Sequence, residues 1–322
     1  MPFLLSGFVG DQAGNPLARL MSHIKKWLAF LLLTNKSFRF FRWLGVHVTP
    51  VHFYSPIPDV REIDEAVWEQ PSDLVGVDMN PAGQQSLMET VFSKYQAECN
   101  FPRRPILSSH DYYTQNDYFG YVSAAAMHSM VRHFRPRQIV EVGAGFSTRV
   151  LANAARLNAA GGHPVQVTAI DPYPGELLRG GFPGLHRLLP LKVQAVDLSI
   201  FTDLRANDIL SIDTSHAVRL GGDVVHLYLN ILSRLNPGVL VHIHDIFLPH
   251  DYPRQWVADR RFFWNEQYLL QAMLVYSRRL QVIWGQKYAE SHFPERYQAA
   301  FSARTGYDEN FDSYSFWLRI QE

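Results

Sequence analysis

Eight residues, Glu141-Val142-Gly143-Ala144-Gly145-Phe146-Ser147-Thr148, bring a carboxylate, two glycines and two hydroxyls to one point in the chain. They follow the apolar run Gln138-Ile139-Val140 and lead into the helix-forming stretch Arg149–Ala155. A strand, a glycine turn and a helix start in that order open a nucleotide-type α/β sheet. Glycine lets the backbone turn tightly and lets a ligand lie against it. The helix that follows turns free N–H groups and partial positive charge towards the same place. Glu141, Gly143, Gly145 and Ser147 are therefore candidate ligand-binding residues. In open α/β sheets ligands sit at the carboxyl ends of the strands. Further polar groups stand at such ends: Asp171 after Ala169-Ile170, Asp197 after Val196, Asp213-Thr214-Ser215-His216 after Ile212, and His244-Asp245 after Ile243.

The elements that must carry these residues follow from the hydrophobic pattern. Strands are expected at Gln138–Val142, Val165–Ile170, Leu191–Val196, Asp208–Ile212, Val239–Ile243, Leu280–Trp284 and Ser313–Ile320. Helices are expected near Asn116–Phe134, Ser147–Ala160, Ser199–Ala206, Leu220–Leu235 and Phe262–Arg279. Between Asp171 and Pro190 no helix is expected, because Pro172, Pro174 and Pro183 interrupt the segment. Strand and helix otherwise alternate up to Trp284, which predicts an α/β domain with a doubly wound, mostly parallel sheet covered on both faces. The polar and aromatic stretch Gly285–Asp312 joins the last two strands with no evident helix. Residues 1–104 read as an N-terminal helical and loop region and 105–322 as the ligand-binding domain.

Composition narrows the choice of partners. Thirty basic residues balance thirty acidic ones in 322, so no overall field attracts nucleic acid. A single cysteine, Cys99, excludes an internal disulfide and fits a reducing cytoplasm. No run approaches the roughly 20 apolar residues that span a bilayer, and Trp27–Leu33 is too short and too far in to read as a signal peptide. Between Gln12 and Pro58 stand Arg19, Lys25, Lys26, Lys36, Arg39 and Arg42, with no Asp or Glu. The helix expected over about Leu17–Leu44 carries Trp27, Phe30, Leu31, Phe38, Phe41 and Trp43. It either packs on the main domain or on a second subunit, giving a homo-oligomer, or lies on an anionic membrane surface. The loop Val46–Asp59, held extended by Pro50, Pro56 and Pro58, places His47, His52 and Tyr54 either over a site or in packing.

Thr148 stands where a dinucleotide fingerprint would have its third glycine, and Glu141 precedes the first glycine by two residues. With these features, the segment resembles motif I of class I S-adenosylmethionine-dependent methyltransferases more than a nicotinamide oxidoreductase. The resemblance narrows to O-methyltransferases of the macrocin type and covers about residues 105–320. It implies a Rossmann-like methyltransferase sheet of seven strands closed by an antiparallel one, with S-adenosylmethionine as cofactor. Glu141 would then suit the ammonium and sulfonium of the donor, Asp171 the ribose hydroxyls, and Asp197 the adenine amino group. Asp171 and Asp197 are otherwise exposed loop carboxylates. The acceptor implied is a hydroxyl on a small molecule or carbohydrate. His216 is the first choice of general base, since an ordinary imidazole titrates near pH ~6.5, with Asp213 beside it. Asp213 and Asp245 are candidate ligands for Mg²⁺, which would lower the hydroxyl's pKa. His244 stands where a second acid is usual, and a histidine-containing set suits another divalent cation better. Alternatively Asp213 and His216 cap the next helix, and His242 is a satisfied buried histidine. The rings of Tyr112, Tyr113, Tyr118, Tyr252, Trp256 and Trp264 either flank a ring-shaped acceptor or form a subunit contact. The rival outside enzymology is a silent binding protein that docks to a partner or membrane through the basic N-terminal helix.

Overall fold

Successive apolar residues in the strand over Gln138–Val142 (β1) point to opposite sides. Ile139 enters one buried cluster, Val140 and Val142 the other. Ile209 against Leu210 and Ile212, and Leu240 against Val241 and Ile243, divide in the same way. Burial on both faces is the reason these strands read as continuous apolar runs rather than as alternating ones. The computed structural model describes residues 16–51, 53–106, 110–301 and 313–322. After β1 come Gln166–Ile170 (β2), Arg187–Leu189 (β3), Ile209–Ile212 (β4), Leu240–His244 (β5), Leu280–Gly285 (β6) and Ser315–Ile320 (β7). They form a seven-stranded sheet in the order β3-β2-β1-β4-β5-β7-β6. The first five pair in parallel, and β7 lies antiparallel between β5 and β6. This is the α/β, mostly parallel seven-stranded sheet expected from the pattern, with its strand order reversing at β1.

Helices Tyr121–Phe134 and Phe146–Ala160 pack with Ile139, Val167, Ile209 and Leu240 on one face. On the other face, Val224 to Leu235 and the helix Glu266–Leu274 cover Leu210, Val241 and Phe316. The sheet belongs to a compact unit of residues 68–256 and 264–322, while residues 1–67 with 257–263 form another. The division does not coincide with the 104/105 boundary read from sequence. Met88, Val91 and Phe92 belong to the buried cluster that includes Trp284 and Phe301, with the Phe92 ring edge-on to Trp284 at 4.8 Å.

Three element assignments change. The third strand is Arg187–Leu189 rather than Leu191–Val196; Pro190 ends it, and Val193–Ala195 is a single 3₁₀ turn. A short helix, Glu176–Gly180, occupies the segment where none was expected. Helices Gln286–His292 and Pro294–Phe301 lie between β6 and β7, their rings and polar groups having masked the helical period. In the smaller unit the N-terminal helix is broken into Pro16–Leu32 and Asn35–Trp43, because the Thr34 side chain accepts from the Ser37 N–H and starts a new helix. Trp27 and Trp43 on these helices are exposed. His52 lies outside the described residues. Among the described residues no helix is long and apolar enough to cross a membrane.

Candidate functional site

The glycine turn is shaped first by the protein's own backbone. Gly143 adopts φ +85°, and a Cβ there would stand 1.6 Å from the Asp213 carbonyl oxygen. Its N–H donates to the Ile170 carbonyl at 2.9 Å, while the Asp213 N–H donates to Val142 at 2.9 Å. The ends of β1, β2 and β4 are thereby drawn together at one glycine. Gly145 differs, because nothing lies within 4 Å of where its Cβ would be. Its N–H donates to the Thr148 hydroxyl at 2.9 Å, fixing the first turn of the helix Phe146–Ala160.

Glu141 is fully buried, and its two oxygens accept from the Ser147 and Thr148 hydroxyls, each at 2.6 Å. It therefore does not face the cavity as the sequence reading expected; it braces the turn from below, with Ser147 engaged in the same bond. Burial pushes the Glu141 carboxyl up to about 8, the two hydroxyl bonds oppose this, and the charges of Asp213 and Asp171 add to it. Asp171 accepts from the Ala144 N–H at 3.0 Å and the Tyr173 N–H at 2.6 Å. A carboxylate has further lone pairs, so Asp171 keeps acceptor capacity towards a ligand.

A cavity of about 640 Å³ opens over these ends, lined among others by Gly143, Asp171, Tyr173, Lys192, Asp213 and Asp223. That volume is in the range of small-molecule sites. Asp197 does not line it. Because β3 lies earlier in the chain, Asp197 falls beyond the rim and closes the turn before the next short helix, accepting from the Ser199 N–H at 2.8 Å; that bond lowers its pKa. The segment Lys192–Ala195 lines the cavity in its place, together with Arg219, Gly221 and Gly222. The sequence reading missed these residues, although Leu188-Leu189 before Pro190 was a legible strand end.

Asp213, His216, His244 and Asp245 converge beside the cavity. His216 Nε2 lies 3.3 Å from Asp213 Oδ1 and 3.8 Å from Asp245 Oδ2, and its Nδ1 lies 2.8 Å from Glu266 Oε2. His244 Nδ1 lies 3.5 Å from Asp213 Oδ2 and 3.4 Å from Asp245 Oδ1, while its Nε2 is 2.8 Å from the Ser313 hydroxyl. His216 and Asp245 both take positive φ, +53° and +55°, conformations that non-glycine residues rarely adopt and that gather at functional sites. Burial pushes the His216 imidazole down, but Asp213, Glu266 and Asp245 outweigh it and hold its pKa well above 6.5. Burial likewise opposes the charges of Asp245 and Asp213 at His244, and the charges win, bringing it to about 10. Burial raises Asp213, yet His244 and His216 outweigh it and hold the carboxylate well below its usual range. His216 is thus not an ordinary imidazole. It is almost fully buried and cationic at neutral pH, and Asp213, with 28% of its side chain exposed, is the member that lines the cavity.

This arrangement does not fit the expected Mg²⁺ site on Asp213 and Asp245. Both carboxylates already face two cationic imidazoles, and a hard cation would have to displace or deprotonate them. Among the described residues no group of three or more His, Cys, Asp or Glu side chains is disposed to hold a metal. His242 is the satisfied buried histidine of the second reading, between the Ser211 hydroxyl at 2.9 Å and the Ser315 hydroxyl at 3.1 Å; burial, with His244 nearby, lowers it to about 3. The aromatic residues mostly build core. Tyr112 is buried and donates to the Phe119 carbonyl at 2.6 Å, and Tyr252, Trp256 and Trp264 pack edge-to-face rather than lining the cavity. Tyr118 is exposed, stacked on Phe146 at 5.8 Å.

Residues 140–246 match a family model described as a methyltransferase domain. An uncharacterized protein of Archaeoglobus fulgidus is 32% identical over 177 residues, 52% of this chain and 77% of the relative. Among solved structures, the O-methyltransferase TomG from Streptomyces achromogenes, in complex with S-adenosylmethionine, is 13% identical with a TM-score of 0.38, over 76% of this chain and 92% of that one. An O-methyltransferase from Bacillus cereus, in complex with S-adenosylhomocysteine, is 13% identical with a TM-score of 0.34, over 74% of this chain and 97% of that one.

Proposed function

We propose, for a chain whose residues 140–246 match a methyltransferase-domain model, transfer of a methyl group from S-adenosylmethionine to a hydroxyl of a small molecule or sugar. One observation carries the reading. Three carboxyl groups, Glu141, Asp171 and Asp213, surround the Gly143 turn where it opens on the cavity, and the latter two line it. Burial, with a further contribution from Asp213 and Asp171, raises Glu141; a sulfonium or ammonium there offsets the carboxylate charge, whereas a pyrophosphate would add to it. The resemblance to macrocin-type enzymes supports a hydroxyl acceptor.

In this reading the donor lies against Gly143 and Gly145, with Asp171 accepting from its ribose and Lys192–Ala195 beside its base. Methyl transfer is an in-line displacement: the C–O bond forms as the C–S bond breaks, S-adenosylhomocysteine leaves, and the hydroxyl proton passes to the protein. Aligning two bound reactants is worth up to about 7–11 kcal/mol in favourable cases, and a positioned base adds about 10²–10⁴-fold. Asp213 meets the hydroxyl in the cavity; His216 behind it first releases its own proton to bulk water, and the neutral ring then takes the hydroxyl proton. No step runs through a metal. Calorimetric titration with S-adenosylhomocysteine tests the reading; absence of binding to folded protein would sink it.

A further inference from the structure

Glu266 opens the helix Glu266–Leu274, fifty residues beyond His216, and is fully buried. A buried carboxylate is costly unless a partner compensates it, and here the partner is the ring of His216, with Nδ1 2.8 Å from Oε2. Further links hold the same segment. The N–H groups of Asn265 and Glu266 both donate to the His216 carbonyl, at 3.0 and 3.1 Å. Asn265 Oδ1 accepts from the Val218 N–H at 2.6 Å, and the Trp264 ring lies 4.2 Å from the imidazole centroid. The start of this helix thus grips the backbone of His216 in its left-handed conformation and the ring as well. With Nδ1–H given to Glu266, Nε2 is the nitrogen left facing Asp213 and Asp245.

We infer that Glu266 is a positioning residue: it fixes the tautomer and ring plane of His216 so that Nε2 faces the cavity end of the Asp213–Asp245 pair. The inference deepens the proposed function and rests on it for its catalytic meaning. A carboxylate on one imidazole nitrogen is a general way to keep the other nitrogen available for proton transfer. The groups around this pair are Asp213, Asp245 and His244 on the strand ends, and the phenols of Tyr228 and Tyr252, whose pKa values burial raises with a further contribution from Glu266.

The test compares wild type, Glu266→Gln and Glu266→Leu. Glutamine keeps an oxygen that accepts from Nδ1–H; leucine does not. Nitrogen-15 NMR of histidine-labelled protein at alkaline pH, where the ring is neutral, should show the Nδ1–H form of His216 in wild type and Glu266→Gln. Glu266→Leu should lose it. S-adenosylhomocysteine affinity should stay within about threefold in both variants, since neither change touches the donor side. Methyl transfer, followed as S-adenosylhomocysteine release, should fall about 10²-fold or more in Glu266→Leu and be partly restored in Glu266→Gln. An Nε2–H tautomer in the wild type overturns the inference, as does an unchanged spectrum or an unchanged rate in Glu266→Leu. If Glu266→Leu does not fold, the wild-type and glutamine spectra decide alone. Failure of wild-type protein to bind S-adenosylhomocysteine overturns the function, while the spectra still decide what Glu266 does to His216.

Discussion

Replacing Glu141 by glutamine should change how stability depends on pH more than it changes stability itself. The folded protein holds this carboxyl up at about 8, against an ordinary 4.5, because it is buried beside Asp213 and Asp171. A group whose pKa is raised on folding stabilises the native state fully below its unfolded value, and that stabilisation is lost as pH rises through the folded value. With the values 4.5 and about 8, the loss between pH ~5 and ~9 is about 4 kcal/mol. Glutamine is neutral throughout, nearly the same size, and able to bond the Ser147 and Thr148 hydroxyls. His216 and His244 contribute slopes of the same sign, but to both proteins. Urea unfolding across this range should therefore give a curve about 4 kcal/mol flatter for Glu141→Gln, with the variant the more stable protein at the alkaline end. Parallel curves would refute the claim that Glu141 is buried and protonated in the fold.

Other consequences are equally direct. Gly143→Ala should cost at least about 3 kcal/mol, because its Cβ meets the Asp213 backbone and its φ is left-handed. Gly145→Ala should leave stability nearly unchanged while weakening S-adenosylhomocysteine binding about tenfold, so equal melting losses in the two variants would refute the distinction. Methyl transfer should increase with pH well past 6.5, since the neighbouring carboxylates hold the proton on His216; a rate already flat at pH ~6.5 would exclude His216 as the proton acceptor. Exhaustive chelation should leave the rate within about twofold, and a tenfold rescue by Mg²⁺ would restore the metal reading rejected on the donor set.

The run Ile139-Val140 into Glu141-Val142-Gly143 was sufficient to read as β1, because a strand buried on both faces needs unbroken apolar residues and a turn that close needs glycine. The same logic placed β2, β4, β5, β6 and β7 to within a few residues. It failed at β3, where both Leu188-Leu189 and Leu191–Val196 satisfy the pattern locally. Only pairing with β2, Ala169 against Leu188 and Ile170 against Leu189, selects the earlier segment and moves Asp197 off the cavity. The strand-end acids and histidines were visible one at a time, since their types and positions are local properties of the chain. What they touch was not. Whether Glu141 faces a ligand or lies beneath a turn, whether His216 titrates as an ordinary imidazole, and which carboxylate holds it depend on burial and on contacts between residues fifty positions apart. The pairing of His216 with Glu266 exists only once the helix Glu266–Leu274 packs against the end of β4, because desolvation and charge proximity are properties of the assembled molecule.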